Sequence, residues 1–259
     1  MSPAATELSL RDKVALVTGG SRGIGAATVR LFAQAGARVA FGYCQDERAA
    51  ATLVRELGAE RCAALRGDLD GPEAAAALVT ATRERFGRLD ILVANHGIWP
   101  PEDMPIDRLP DEQWRRTLGV NLDSVFGLVK HTVAELKRQG GGGHVVIVSS
   151  TAGQRGEAFH SDYAASKGAI ISLVKGLASE LASERIYVNC VAPGWVDTDM
   201  SVPTLTVPER RARVLGTIPL GRVATPLEIA APILFLCTPQ AGFITGEILN
   251  VNGGAVLVG

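Results

Sequence analysis

The chain has 259 residues, 47% of them hydrophobic, which suits one large α/β domain with a covered sheet and a substantial core. Lys plus Arg number 26 against 27 Asp plus Glu, so no net field draws nucleic acid or an anionic membrane surface. Residues 1–10 lack the basic start and apolar core of a signal peptide, and no apolar run is long enough to span a bilayer, so a cytoplasmic protein is expected.

Residues 1–10 read as a tail and 11–259 as a single domain. Val14 to Val17 are apolar without polar alternation, as in a strand buried on both faces of a parallel sheet. Gly19, Gly20, Gly23 and Gly25 follow at once, and a helical pattern with Ile24, Ala27, Leu31 and Phe32 on one face runs to Gly36. Strand, glycine turn and helix in this order make a phosphate site. Missing Cβ atoms let the backbone approach a pyrophosphate, and the free N–H groups and positive end of the helix dipole face it.

Further strands are expected at 38–43, 61–66, 89–94, 145–149, 187–191 and 247–251, and helices at 46–57, 72–86 (opened by Pro72), 111–138 and 161–184. Arg115 and Arg116 read as part of a solvated helix face. This regular alternation predicts a Rossmann-like, doubly wound parallel sheet of seven strands with helices on both faces and right-handed crossovers. The longest irregular connection, 197–221, has the length of a functional lid. Cys44, Cys62, Cys190 and Cys237 are scattered without a Cys-x-x-Cys pair, so inert reduced thiols and no metal site are expected.

Tyr163 and Lys167, four positions apart, are neighbours on one helix face. Tyrosine, with a reference pKa of about 10, is a poor base at neutral pH, and a fixed cation is the physical means of favouring its phenolate. A Tyr with a Lys one turn on is common surface decoration; Ser150 sets this pair apart. It closes the fifth strand, where ligands bind in doubly wound sheets, 13 positions before Tyr163, enough for one loop to bring the helix back over the strand end.

Together these residues resemble the short-chain dehydrogenase/reductase family. Ser150, Tyr163 and Lys167 match its catalytic Ser and Tyr-x-x-x-Lys, and Asn121 matches the Asn of its tetrad. Thr-Gly-x-x-x-Gly-x-Gly, from Thr18 to Gly25, resembles its cofactor loop; a P-loop is excluded because no Lys-Ser/Thr pair follows Gly25. Asp68 matches the acid at the adenine end. Asn95-x-Gly97 matches most of Asn-Asn-Ala-Gly, with Ala94 for the first Asn and His96 for Ala. Pro193-Gly194 with Thr198 matches Pro-Gly-x-x-x-Thr, and Val251-Asn-Gly-Gly matches Val-Asp-Gly-Gly with Asn252 for Asp. The pattern is most like the 3-oxoacyl-acyl carrier protein reductases, above all from Pro193 to Met200.

The resemblance implies a nicotinamide dinucleotide held by Thr18, Gly19, Ser21, Arg22, Gly23, Ile24 and Gly25, by Tyr43, Asp68, Leu69, Asn95 and Gly97, and by Tyr163, Lys167, Pro193, Gly194, Val196 and Thr198. It also implies that Ser150 bonds the substrate oxygen, Tyr163 exchanges its proton, Lys167 favours the phenolate and holds the nicotinamide ribose, and Asn121 positions a relay water. NAD-specific relatives carry an acid at the end of the second strand; here Tyr43 stands there and Arg22 is basic, so NADP(H) is favoured, with NAD(H) the alternative.

By position, Trp99, Gln154, Arg155, His160 and Trp195 flank the substrate, and two tryptophans suggest an apolar or aromatic one. For His96 and His160, substrate contact and a structural role both stay open. The expected reaction is reduction of a 3-oxoacyl thioester or similar ketone. An acyl carrier protein is a candidate partner, although Ser179, beside Glu180, stands where a basic docking residue is expected. The alternative is a broad-specificity ketone reductase, or an alcohol, sugar or steroid dehydrogenase using NAD(H). A nucleotide sensor on this fold would typically lose the Tyr or Lys, and a serine hydrolase would need Gly-x-Ser-x-Gly around Ser150. The resemblance further implies a homotetramer through helices 111–138 and 161–184. The small residues Ala164, Ala165, Gly168, Ala169, Gly176 and Ala178 permit close helix packing, and the apolar end 256–259 is a candidate for burial against a neighbouring subunit.

Overall fold

The uninterrupted apolar runs fold as seven parallel strands, β1 (Val14–Val17), β2 (Arg38–Tyr43), β3 (Cys62–Arg66), β4 (Ile91–Ala94), β5 (Gly143–Val148), β6 (Ile186–Pro193) and β7 (Ile248–Val251), in the order β3-β2-β1-β4-β5-β6-β7. The computed structural model describes residues 8–258. Side chains alternate between the faces of a strand, and here both faces are covered. Val14 and Leu16 enter one hydrophobic core while Ala15 and Val17 enter the other; Leu92 and Ala94 of β4 part in the same way from Ile91 and Val93.

Ten helices among the described residues are α1 (Gly23–Gln34), α2 (Glu47–Leu57), α3 (Pro72–Phe86), α4 (Asp111–Leu118), α5 (Ser124–Gln139), α6 (Thr151–Arg155), α7 (Ser161–Leu181), α8 (Val202–Leu205), α9 (Pro208–Gly216) and α10 (Pro226–Leu236). One core, around Phe32, Leu53 and Ile233, lies under α1, α2 and α10. The other, around Phe86, Leu136 and Ile170, lies under α3, α5 and α7. None of these helices is long and apolar enough to cross a membrane.

The fold class is the expected one, with local differences. Helix α1 buries Ala26, Val29, Phe32 and Ala33, leaving Ile24, Ala27 and Leu31 half-buried, because it is flanked by α10 as well as the sheet. The 111–138 helix is interrupted by a π-helical turn, Gly119–Asp123. Residues 197–221 are less irregular than expected, since they carry α8 and α9. Helix α10 escapes periodicity because it is apolar nearly all round and holds Pro232. Its start is set by a capping box, Thr225 with Glu228. Of the expected tail, residues 1–7 lie outside the described residues, as does residue 259 of the apolar end, whereas Leu10 is part of the core.

Candidate active site

A cleft of about 750 Å³ opens where the strand order reverses, beside the carboxyl ends of β1 and β4, and extends past β5 and β6. One end is walled by Tyr43, Asp68 and Leu69, its middle by Gly19, Ser21, Arg22, Gly23 and Ile24, and its far end by Asn95, Gly97, Trp99, Ser150, Tyr163, Lys167, Pro193, Gly194, Trp195, Val196 and Thr198. Fold therefore brings together residues spread from position 19 to 198.

Five expected site residues stand off this wall. Gly25 is needed by the turn itself, because a Cβ there would strike the Gly19 carbonyl. Thr18 is fully buried; its Oγ1 accepts from the Asn95 N–H at 3.1 Å and meets His96 Nδ1 at 2.7 Å. Asn121, in the π-helical turn, clamps the backbone of Ile98, accepting from its N–H at 2.8 Å and donating to its carbonyl at 2.9 Å. Gln154 turns away to donate to Asn250 Oδ1 at 2.5 Å. His160 is buried behind Trp99, ring centroids 4.8 Å apart, with Nε2 3.5 Å from Asp103 Oδ1.

The glycine turn has the shape a dinucleotide needs. Gly23, at φ +52°, faces the β6 end so closely that a Cβ would sit 3.1 Å from Thr198 Cγ2. Arg22 makes no side-chain cap on α1, so the first-turn N–H groups are left for an anion. Arg22 instead reaches Asp199 at 3.4 Å, an exposed pair of small energetic weight. The first acid after β2, Asp46, accepts from the Ala49 N–H at 2.9 Å as the cap of α2. These features fit a nicotinamide dinucleotide.

His96 resolves as a structural bridge. Ser124 donates its hydroxyl to the Val120 carbonyl at 2.7 Å, so His96 Nε2 donates to Ser124 Oγ at 2.6 Å and Nδ1 accepts from Thr18. Burial, helped by the Lys167 ammonium, pushes its pKa down to about 3, which keeps the ring neutral. The glycine turn is thereby tied to the π-helical turn.

At the far end Ser150 caps α6, accepting from the Ala152 N–H at 3.1 Å, and lies two residues beyond β5 rather than closing it. Lys167 donates to the Val148 carbonyl at 2.9 Å, and its Nζ lies 5.8 Å from the Tyr163 ring centroid. Burial pushes the Tyr163 phenol up to about 12 against the opposing hydrogen bond from Ser150, and pushes the Lys167 ammonium down to about 8. Burial in the protein alone thus works against the phenolate that the Tyr-Lys spacing is expected to favour. Burial likewise pushes the Cys62 and Cys190 thiols up, to about 11 and about 12, and Cys237 is also buried; Cys44 is exposed in the cleft, its thiol raised by burial and by neighbouring Asp68.

Among the wall residues that sequence reasoning missed are Arg116 and Glu157. Arg116 reads as solvated, and nothing local marks an α4 residue as facing a cleft formed by other elements. Glu157 sits between Ser150 and Tyr163, and that position alone was its signal.

The family model described as enoyl-(acyl carrier protein) reductase matches residues 19–256. The chain is 39% identical, over 97% of its length and 100% of the relative's, to 3-oxoacyl-[acyl-carrier-protein] reductase of Vibrio cholerae. It is 36% identical to L-rhamnose 1-dehydrogenase (NAD(P)(+)) of a Sphingomonas species, covering 95% of this chain and 96% of that protein. Among solved structures it resembles 3-ketoacyl-(acyl-carrier-protein) reductase from Brucella melitensis complexed with NADH, with TM-score 0.88, 32% identity and coverage of 96% and 100%. A short-chain dehydrogenase/reductase described as glucose/ribitol dehydrogenase, from the same organism, gives TM-score 0.87, 34% identity and coverage of 96% and 98%.

Proposed function

The chain belongs to the short-chain dehydrogenase/reductase family of NAD(P)-dependent oxidoreductases, and from that premise we propose that it reduces a ketone, a 3-oxoacyl thioester or similar carbonyl, to a secondary alcohol with NADP(H). The observation that carries this reading is the meeting of Ser150, Tyr163 and Lys167 in the cleft that also holds the glycine turn. When bound, the nicotinamide supplies the hydride. Ser150, whose Oγ already accepts from the Ala152 N–H, has its own proton to donate to the substrate oxygen. Tyr163, protonated at neutral pH, gives its proton to that oxygen as charge develops, and Lys167, anchored on the Val148 carbonyl, places an ammonium beside the phenolate left behind. Asn121 holds the Ile98 backbone behind this wall.

The preference for NADP(H) over NAD(H) rests on the end of β2, where no free acid awaits a ribose hydroxyl, and on Arg22 and Arg116 in the same wall. An acyl carrier protein is the candidate partner, and the exposed Ser179 and Glu180 on α7 weigh against basic docking there. The test follows nicotinamide absorbance with NADPH and NADH against 3-oxoacyl thioesters, simple ketones and secondary alcohols. Tyr163→Phe is expected to keep NADPH binding and lose on the order of 10²–10⁴-fold in turnover. A variant keeping a third of the rate would overturn the assignment.

A further inference from the structure

Between α6 and α7 the bridge 156–160 turns back on itself, with Gly156 at φ +77° and Phe159 at φ +66°. A bulky residue at positive φ is strained and persists where its surroundings require it. The Met104 N–H donates to the Phe159 carbonyl at 3.0 Å and holds the turn. Ala158 and Phe159 consequently face solvent, His160 is buried, and Glu157 enters the cleft wall.

The Trp99 indole on the same wall favours the charged form of Glu157. Trp99 is itself fixed between the His160 ring and the edge of Trp195, whose ring centroid is 5.9 Å away. The proton and hydride chemistry proposed above makes no use of this carboxylate, yet it lies close enough to Tyr163 for its charge to oppose formation of the phenolate. It therefore stands beside the reacting end of the cleft.

Resting on the reading of this cleft as a carbonyl–alcohol site, we propose that Glu157 is a specificity-determining residue that accepts a hydrogen bond from a second substrate hydroxyl near the reacting carbon, so that α-hydroxy ketones are taken in preference to the corresponding plain ketones. A carboxylate has about four lone-pair sites, and one indole N–H leaves most of them seeking donors. A hydroxyl supplies one. An anionic substrate would be repelled by Glu157 itself, and a cationic one would meet Lys167 and Arg155 on the same wall. Trp99 and Trp195 supply apolar wall for the C–H surface while the carboxylate orients the hydroxyl, the mixture of apolar wall and few polar anchors usual in small-molecule sites. Burial raises the Glu157 pKa; His160, Arg155 and the Trp99 indole favour its charged form and Asp103 opposes it.

The experiment measures kcat/KM with NADPH for 2-hydroxycyclohexanone and cyclohexanone in the wild type, Glu157→Gln and Tyr163→Phe, with binding followed by tryptophan fluorescence. The wild type is expected to favour the hydroxy ketone by about tenfold or more, the worth of one hydrogen bond to a charged acceptor. Glu157→Gln is expected to bring that ratio within about threefold, chiefly through KM. The wild-type ratio should fall on acidification as the carboxylate gains a proton, while the Gln variant's ratio stays level. If Glu157→Gln does not fold, Glu157→Asp, with a shortened acceptor, is expected to give an intermediate ratio. Equal ratios in wild type and variant, or a wild-type preference for cyclohexanone, would overturn the inference while leaving the carbonyl reading intact. Loss of that reading looks different: no nicotinamide-dependent turnover of any ketone, thioester or alcohol, or full turnover in Tyr163→Phe.

Discussion

Burial acts on Tyr163 and Lys167 in the same sense, against charge, and that sets the pH behaviour of the site. With the phenol pushed up to about 12 and the ammonium down to about 8, both groups carry their protons at pH 7, the state that donates to a carbonyl. Reduction should be level below pH 8 and decline as pH rises through about 8, when Lys167 loses its charge. A kcat profile with NADPH checks this, and a rate still climbing between about pH 7 and 9 would contradict the assignment of the protons. Two half-buried histidines bear on stability instead. His96 and His144 are held down to about 3 and about 4, against an unfolded value of about 6.5, so the unfolded chain takes up protons first on acidification. Their contribution is complete above about pH 6.5 and is lost as pH falls towards those folded values. Urea unfolding at pH 7, 5 and 4 should show this decline, and His144→Phe, which keeps a ring against Tyr187, should flatten it.

Helices α6 and α7 cross at glycines. A Cβ on Gly153 would lie 2.5 Å from the Lys167 carbonyl carbon, and one on Gly168 would lie 3.3 Å from the Gly153 oxygen. At least Gly168, among the small residues that permit close packing, is therefore used inside the subunit, to seat the helix carrying Tyr163 and Lys167 against the turn carrying Ser150. Gly153→Ala is expected to cost about 1–3 kcal/mol, as over-packing does, and to lower kcat as the two helices part. Urea unfolding with NADPH turnover on the same variant reads both. The π-helical turn also ties elements together, since it points Asn121 at Ile98 and at Ser166 Oγ, 3.1 Å away on α7.

On the scale of the whole molecule, exposed apolar side chains mark surfaces for assembly. Trp114 and Phe126 are exposed on α4 and α5, the helices from which the family resemblance implies a homotetramer. Phe126→Asp is therefore expected to shift the protein to a smaller species in size-exclusion chromatography, with unfolding in urea unchanged. At the carboxyl end Val256 is buried while Leu257 and Val258 are exposed, so removing residues 257–259 tests whether that end joins a neighbouring subunit.

The elements and the meeting of Ser150, Tyr163 and Lys167 in one cleft were legible because their signals are local. Apolar runs mark covered strands, four-residue spacing puts Tyr163 and Lys167 on one helix face, and glycine spacing marks the phosphate turn. Helix α10 was not, because a nearly uniform apolar segment with an internal proline has no period to read. Nor does sequence separate wall from backing: Thr18, Asn121, Gln154 and His160 fit the motif or its position yet stand behind the cleft, while Glu157 and Arg116 face it. Which way a side chain turns depends on contacts such as Thr18 with His96 and Gln154 with Asn250, made between segments far apart in the chain. The shift of the Tyr163 phenol was likewise decided only by tertiary structure, because desolvation is set by everything packed around a group, and here it outweighs the opposing hydrogen bond from Ser150.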